Sequence, residues 1–250
     1  MIPVSGGCRC SIIINDILRK GTIGMIINDL DDLKGIFAIT AGHLVPYCPN
    51  CNCNPEFMRE NIPFFHHHHK SHPYCKLIGN IDINRHGNYY FSPFEGHEYD
   101  FVVVTLSHAE LSNIRIQIGI HKINGNFDYL THNQLNENNL RKILDSKHSF
   151  YIAEGDKLFQ ISQINDISKD IKEETTCLRC NYAFTYKLKN DIRFIITYLD
   201  EIIIKESHSG APIIWRDGDA FKVIGIISGC SKNGYVGLAS FLPDILRSGR

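Results

Sequence analysis

The stretch KESHSGAPII, residues 205 to 214, breaks an otherwise apolar part of the chain: isoleucines precede it at 202–204 and close it at 213–214. Ser, Gly and Pro are the usual turn residues, so a surface turn is the simplest reading. A tight polar turn between two strands is also a place where a rigid sheet can present a nucleophile, here Ser209. That second reading requires a base and an orienting acid elsewhere in the sequence.

Both are found upstream. GIFAITAGHLV is a strand pattern that ends in Thr40-Ala41-Gly42-His43, and EYDFVVVTL is a second one that Asp100 opens. A serine hydroxyl is a weak nucleophile near neutral pH. A neutral imidazole within hydrogen-bond reach can take its proton. A carboxylate on the other ring nitrogen then fixes the tautomer and stabilises the imidazolium. Taken singly, Ser209 reads as a turn serine, His43 as a packed or capping histidine and Asp100 as the start of a strand. Together they supply nucleophile, base and acid, each at a strand end or tight turn. Asp82, in GNIDIN, is a rival acid. It lies inside a candidate strand rather than at the start of one, which favours Asp100.

The rest of the sequence narrows the function classes. The formal net charge is −1, charged residues make up 21% and no basic stripe is present, which argues against a nucleic-acid partner. No apolar run reaches the ~18 residues of a membrane span, so no membrane partner is expected. The opening MIPVSGGCRC lacks a positive segment followed by an apolar one, so an intracellular, cytoplasmic protein is the expectation. Nine cysteines cannot all pair within the chain, and reduced thiols are expected over a disulfide framework.

Short β-branched or aromatic runs bounded by Gly, Asn, Asp or Pro dominate: 11–14, 22–27, 35–40, 76–83, 101–106, 114–120, 149–153, 157–164, 182–188, 191–199, 201–205, 211–215, 221–228 and 235–240. Many short strands with turns between them predict an all-β sandwich or barrel. Helices are expected at 133–144, where leucines recur on one face, and at 241–248. The stretch 46–75, rich in Cys, His and Pro, lacks periodicity and reads as a long surface loop, dispensable for the three site residues.

AITAGH around His43, YDFVVVTL around Asp100, SHSGAP around Ser209 and VIGIISG at 223–229 together resemble the chymotrypsin-like (trypsin-like) serine peptidases. GTIGMII at 21–27 resembles the first barrel strands of bacterial and intracellular members. The resemblance spans roughly residues 20 to 245. It implies two six-stranded antiparallel β-barrels with a C-terminal helix in a single peptidase domain, residues 1–250. The N-terminal barrel falls at about 11–110, the connection at about 107–150 and the C-terminal barrel at about 149–250. It also implies a serine endopeptidase acting on protein or peptide substrates through an acyl-enzyme. His43, Asp100 and Ser209 would form the triad, and the backbone N–H groups of Ser207 and Ser209 the oxyanion hole. Ile203 would lie at the base of the substrate pocket, with Ser228, Gly229 and Cys230 along one wall. No carboxylate falls at that base, so cleavage after an uncharged, apolar residue is expected. No cofactor is implied.

Three residues depart from the family pattern, one of them Leu44, which follows His43 where secreted members carry a disulfide-forming Cys. Ser207 stands where Gly is usual, and Gly adopts the backbone of an oxyanion hole more easily. His208 stands where Asp is usual, which removes activation by a new N-terminal amine. Ser207 keeps alive a reading as an inactive peptidase-fold binding module. The pairs Cys48/Cys51 and Cys177/Cys180, with Cys53, Cys75 and the tract His66–His69, support a third reading, a zinc-stabilised interaction domain. The two Cys-x-x-Cys pairs are too far apart for a compact finger, and no metal ligand is assigned. Cys8 and Cys10 are also unassigned.

Overall fold

The computed structural model describes residues 4–14, 17–30, 33–45, 62–67, 75–81, 90–91, 100–107, 116–120, 142–143, 149–155, 157–166, 171–176, 183–188, 192–195, 204–230, 234 and 236–241. It is built almost wholly of strands, as the alternating apolar runs dictate. The first half forms one sheet. Its backbone runs through the pairs Met25–Leu30 with Leu33–Thr40, Leu33–Thr40 with Phe101–Leu106, Cys75–Ile81 with Phe101–Leu106, Ile62–His67 with Cys75–Ile81, and Arg9–Ile14 with both Ile62–His67 and Ile17–Thr22. Short strands Val4–Gly6, Tyr90–Phe91 and Ile116–Ile120 are appended, which brings this sheet to ten strands. The second half forms a seven-stranded sheet in which Pro212–Asp217, Ala220–Cys230 and Val236–Phe241 are consecutive antiparallel neighbours. Ile171–Thr176 and Ala183–Leu188 make a separate two-stranded ribbon.

Burial explains why the central strands are continuously apolar rather than alternating. Each half has its own core. The first gathers Ile12, Ile26, Ala38, Phe64, Ile78, Val102 and Val104, and the second gathers Ile152, Ile213, Trp215, Ile224 and Ile227. A third cluster lies between the sheets: Met25, Ile27, Phe37, Ile39, Phe101 and Val103 meet Ala153, Ile214, Val223 and Ile226. A strand such as Phe101–Leu106 therefore sends Val102 and Val104 one way and Phe101 and Val103 the other. With both faces buried, the four positions Phe101 to Val104 are all apolar, and the polar Thr105 falls where the strand is only half-buried. Among the described residues no helix is long and apolar enough to cross a membrane.

Several expected elements differ. The loop read at 46–75 contains a strand, Ile62–His67, whose residues are alternately buried and half-buried. Ile62 is 4% and Phe64 0% exposed, both in the first core. Pro63 and the histidines hid an ordinary alternation of inward Ile62, Phe64 and His66. The run expected at 22–27 is interrupted, with one strand ending at Thr22 and the next starting at Met25. The run at 157–164 splits into Lys157–Ile161 and Gln163–Asp166. Of the helix expected at 133–144, only Lys142 and Ile143 are described, and both are helical. Phe241, expected to open a helix, ends the strand Val236–Phe241, and 242–248 lie outside the described residues.

Phe64→Ala is expected to destabilise the fold by about 3–5 kcal/mol, because it empties a fully buried ring position. Ile13→Ala, at a position 37% exposed, is expected to cost no more than about 0.5 kcal/mol. Urea midpoints of the two variants against wild type check this. Equal, small shifts would return 62–67 to the status of a dispensable loop.

Candidate active site

Strand register brings the base to the acid. Leu33–Thr40 and Phe101–Leu106 pair antiparallel with Thr40 opposite Val102. The chain then enters a short 3-10 turn, Gly42–Leu44, which carries His43 just past the strand end. Asp100 lies just before its partner strand, so the two residues meet where the ladder stops. The His43 backbone N–H donates to Asp100 Oδ1 at 2.7 Å, and Nδ1 lies 2.6 Å from Oδ2. A carboxylate oxygen only accepts, so the proton of this bond sits on Nδ1 and leaves the Nε2 lone pair free to accept. Asp100 is fully buried, and these two charge-assisted bonds offset the cost of burying it.

The second sheet supplies the serine. Ser209 Oγ is 2.7 Å from His43 Nε2, with the hydroxyl placed to donate. Ser209 follows the 3-10 turn Glu206–His208 and precedes Gly210, whose φ is +89°. A Cβ at Gly210 would fall 2.4 Å from both the Thr22 carbonyl oxygen and Thr40 Oγ1, so only glycine fits. The turn is thus pressed against the first sheet. It is held there by Thr22, whose backbone N–H donates to the Ser209 carbonyl and whose hydroxyl donates to the Ser207 carbonyl, both at 2.8 Å. Thr40 in turn donates from Oγ1 to the Thr22 carbonyl at 2.8 Å. From its own side the turn is tied by Gly210 N–H to the Ile227 carbonyl at 2.8 Å.

The residues expected to form the oxyanion hole sit in that turn. The His208 N–H donates to the Lys205 carbonyl at 2.9 Å, closing a four-residue turn with Ser207 in its third position. Its 3-10 geometry points successive N–H groups back along the turn. A type II turn, which would turn the Glu206–Ser207 peptide over, needs φ > 0 at that third position and favours glycine. Of the pocket residues, Ser228 is buried, and Gly229 and Cys230 are partly exposed, at the end of Ala220–Cys230. Ser228 is an extra residue in the ladder, between the pairs Ile227–Ala239 and Gly229–Leu238. Ile203 lies outside the described residues. So do Asp82, Cys48, Cys51, Cys53, Cys177, Cys180, His68 and His69. Among the described residues no group of three or more His, Cys, Asp or Glu side chains is placed to hold a metal. There Cys8, Cys10 and Cys230 are thiols, and burial raises the first two above the ordinary thiol range.

Two sheets around separate cores meet along an apolar interface. His43 and Asp100 come from the first and Ser209 from the second. The architecture is the chymotrypsin-like, two-barrel one. The sheets carry more strands than six each because short edge strands extend them. No family model and no curated protein matches the sequence. Solved structures similar to the chain include a thermostable serine protease from an extremophilic microorganism, with 8% identity, TM-score 0.42 and coverage of 97% of this chain and 93% of that one. The protease Anisep from Arthrobacter nicotinovorans has 9% identity, TM-score 0.42 and coverage of 96% and 91%. The serine protease of a human pathogenic astrovirus has 11% identity, TM-score 0.35 and coverage of 94% and 90%.

Sequence reasoning missed Thr22, Arg9 and Glu154. Arg9 Nε donates to Glu154 Oε1 at 3.0 Å, and Nη2 reaches the same oxygen. Glu154 Oε2 lies 3.2 Å from His208 Nε2. These partners are far apart in sequence, and no local spacing signals them. His208, followed by Arg9, holds the Glu154 carboxyl down at about 2, against an ordinary 4.5 and despite its partial burial. A carboxyl depressed in the fold stabilises it above its ordinary value, and that stabilisation is lost as pH falls from about 4.5 toward 2. The stability advantage of wild type over Glu154→Gln should therefore be largest near neutral pH and shrink across that window. Thermal melts at several pH values read it. A pH-independent difference would show that the charge of Glu154 contributes nothing.

Proposed function

We propose that this chain is a single peptidase domain acting as a serine endopeptidase, with Ser209 as nucleophile, His43 as general base and acid, and Asp100 as the orienting carboxylate. One observation carries the reading: His43 bridges a buried carboxylate at 2.6 Å on Nδ1 and a serine hydroxyl at 2.7 Å on Nε2. Those distances lie within the reach a nucleophile and its base require. Ser209 Oγ attacks the scissile carbonyl as its proton passes to Nε2. The imidazolium, stabilised by Asp100, then returns that proton to the leaving amine. A water activated by the same nitrogen hydrolyses the acyl-enzyme. Protein or peptide substrates follow from this chemistry. Ser228, Gly229 and Cys230 are assigned to the pocket wall, because Gly210 and Ala211 of the nucleophile turn are bonded to Ile227, one residue before them.

A fluorophosphonate probe tests this. Wild type should be labelled at Ser209, and Ser209→Ala and His43→Ala should not react while remaining folded. Asp100→Asn should lower turnover by about four orders of magnitude, the loss known for that change in the chymotrypsin triad, since the amide favours the wrong imidazole tautomer. Full labelling of Ser209→Ala would overturn the assignment.

A second reading has one observation in its favour. Ser207 lies in a 3-10 turn, a form in which successive N–H groups point back along the turn rather than toward one shared acceptor. A chain locked in that form would bind peptides without cleaving them, because a missing oxyanion donor costs about 3–4 kcal/mol of transition-state stabilisation. Ser207→Gly separates the readings, since it eases the positive φ of a type II turn. If substrate turns the peptide over, the Gly variant should acylate faster than wild type. If wild type never labels and the Gly variant does, the natural protein is the binding module.

A further inference from the structure

Behind the nucleophile turn lies a polar chain that the triad does not use. His208 is 3% exposed, and its ring lies beside Glu154, at the end of a strand of the second sheet. Its Nδ1 accepts the Lys205 backbone N–H at 2.8 Å, while its own backbone N–H donates to the Lys205 carbonyl at 2.9 Å. The ring and the main chain of one residue thus close the same turn twice. An Nδ1 that accepts carries no proton, so the neutral ring bears its proton on Nε2. Glu154 Oε2 stands 3.2 Å from that nitrogen, although the ring N–H is not aligned on it. The carboxylate is itself gripped by the Arg9 guanidinium through Nε and Nη2.

Arg9 and Glu154 are anchored to strands of different sheets, and His208 to the 3-10 turn Glu206–His208. Arg9 begins Arg9–Ile14 of the first sheet, and Glu154 ends Phe150–Glu154 of the second. The Gly155 N–H donates to the Gly7 carbonyl at 2.7 Å, which fixes the end of that strand beside Arg9. The carboxylate therefore has little freedom to leave His208. A fixed negative charge beside Nε2 favours the tautomer protonated there, and that tautomer is the one able to hold the Lys205 N–H. The other tautomer, or the imidazolium, would direct an Nδ1 proton at the Lys205 N–H and open the turn.

We propose that Glu154, held by Arg9, is a positioning residue for Ser209: it selects the His208 tautomer that locks the turn carrying Ser207 and Ser209. The proposal rests on the reading of Ser209 as nucleophile only in its effect on rate. The lock itself has an independent readout.

Imidazole nitrogen NMR of the full chain, with His208 assigned by its loss in His208→Gln, reads the tautomer directly. Wild type should show His208 protonated on Nε2 and accepting on Nδ1. Glu154→Ala should mix the tautomers, and Glu154→Gln, which keeps the shape and removes the charge, should mix them as well. In parallel, the rate of fluorophosphonate labelling at Ser209 should fall roughly tenfold to a hundredfold in Glu154→Ala, the scale expected when a reacting group is misplaced by a fraction of an ångström to one ångström. Glu154→Gln should lower it in the same direction. Should Glu154→Ala fail to fold, Arg9→Met provides the milder lesion, with the same direction expected in both readouts. A folded Glu154→Ala with an unchanged His208 tautomer and unchanged labelling overturns the proposal. If wild type does not label at all, the enzyme reading fails while the NMR arm still decides the lock.

Discussion

Asp100 is the constraint on which the site depends. A fully buried carboxylate is tolerated only when its oxygens are met by well-placed donors. Here both come from one residue, the backbone N–H and ring nitrogen of His43, at 2.7 and 2.6 Å. The arrangement fixes the imidazole in position, plane and tautomer together. Removing the His43 side chain would leave Oδ2 of the buried carboxylate without its donor and keep only the backbone N–H on Oδ1, whereas removing Ser209 would leave the pair intact. The stability of the first half and the chemistry of the site are therefore coupled through this carboxylate, and much less so through the serine.

The pairing is a consequence of packing. The segment Phe37–Thr40 and the strand Phe101–Leu106 are buried on both faces, one against the core of the first sheet and the other against the second sheet. A one-residue slip in their register would exchange the two faces and misplace Phe37, Ile39, Phe101 and Val103 together, so the register is strongly fixed. Because Thr40 faces Val102, the residues just beyond the ladder, His43 and Asp100, are brought together without any long loop. The same interfacial layer sets the second sheet on the first, and with it the turn that carries Ser209.

That explains what the sequence could disclose. Continuous apolar runs such as FVVVTL mark doubly buried strands, and polar residues at their ends stand out against them. His43, Asp100 and Ser209 were legible for that reason, and the structure places the three in hydrogen-bond contact. Ile62–His67 was not legible as a strand, because its inward position His66 and its Pro63 break the expected alphabet even though the alternation is regular. Arg9 and Glu154 were invisible on different grounds. Their contact joins positions 145 residues apart, and neither sits in a pattern that requires a charge. Thr22 lay inside a recognised stretch, but its role comes from a carbonyl on the other half of the molecule.

The departures at Ser207 and His208 belong together. A residue that prefers negative φ at position 207 biases the turn toward the 3-10 form. His208 closes that form from behind through Lys205, and Thr22 holds the carbonyls on either side of it. None of these contacts prevents the Glu206–Ser207 peptide from turning over, because the Lys205–His208 closure is common to type I and type II turns. The restraints thus fix the ends of the turn and leave one peptide plane as its variable element. The difference between the two planes is of the order of the ~1–2 kcal/mol by which positive φ disfavours an ordinary residue relative to glycine. A carbonyl oxygen acquiring negative charge, offered two N–H donors, contributes more than that. In such a site substrate itself would supply the free energy that organises the oxyanion hole, and Ser207 would set how much of its binding is spent doing so.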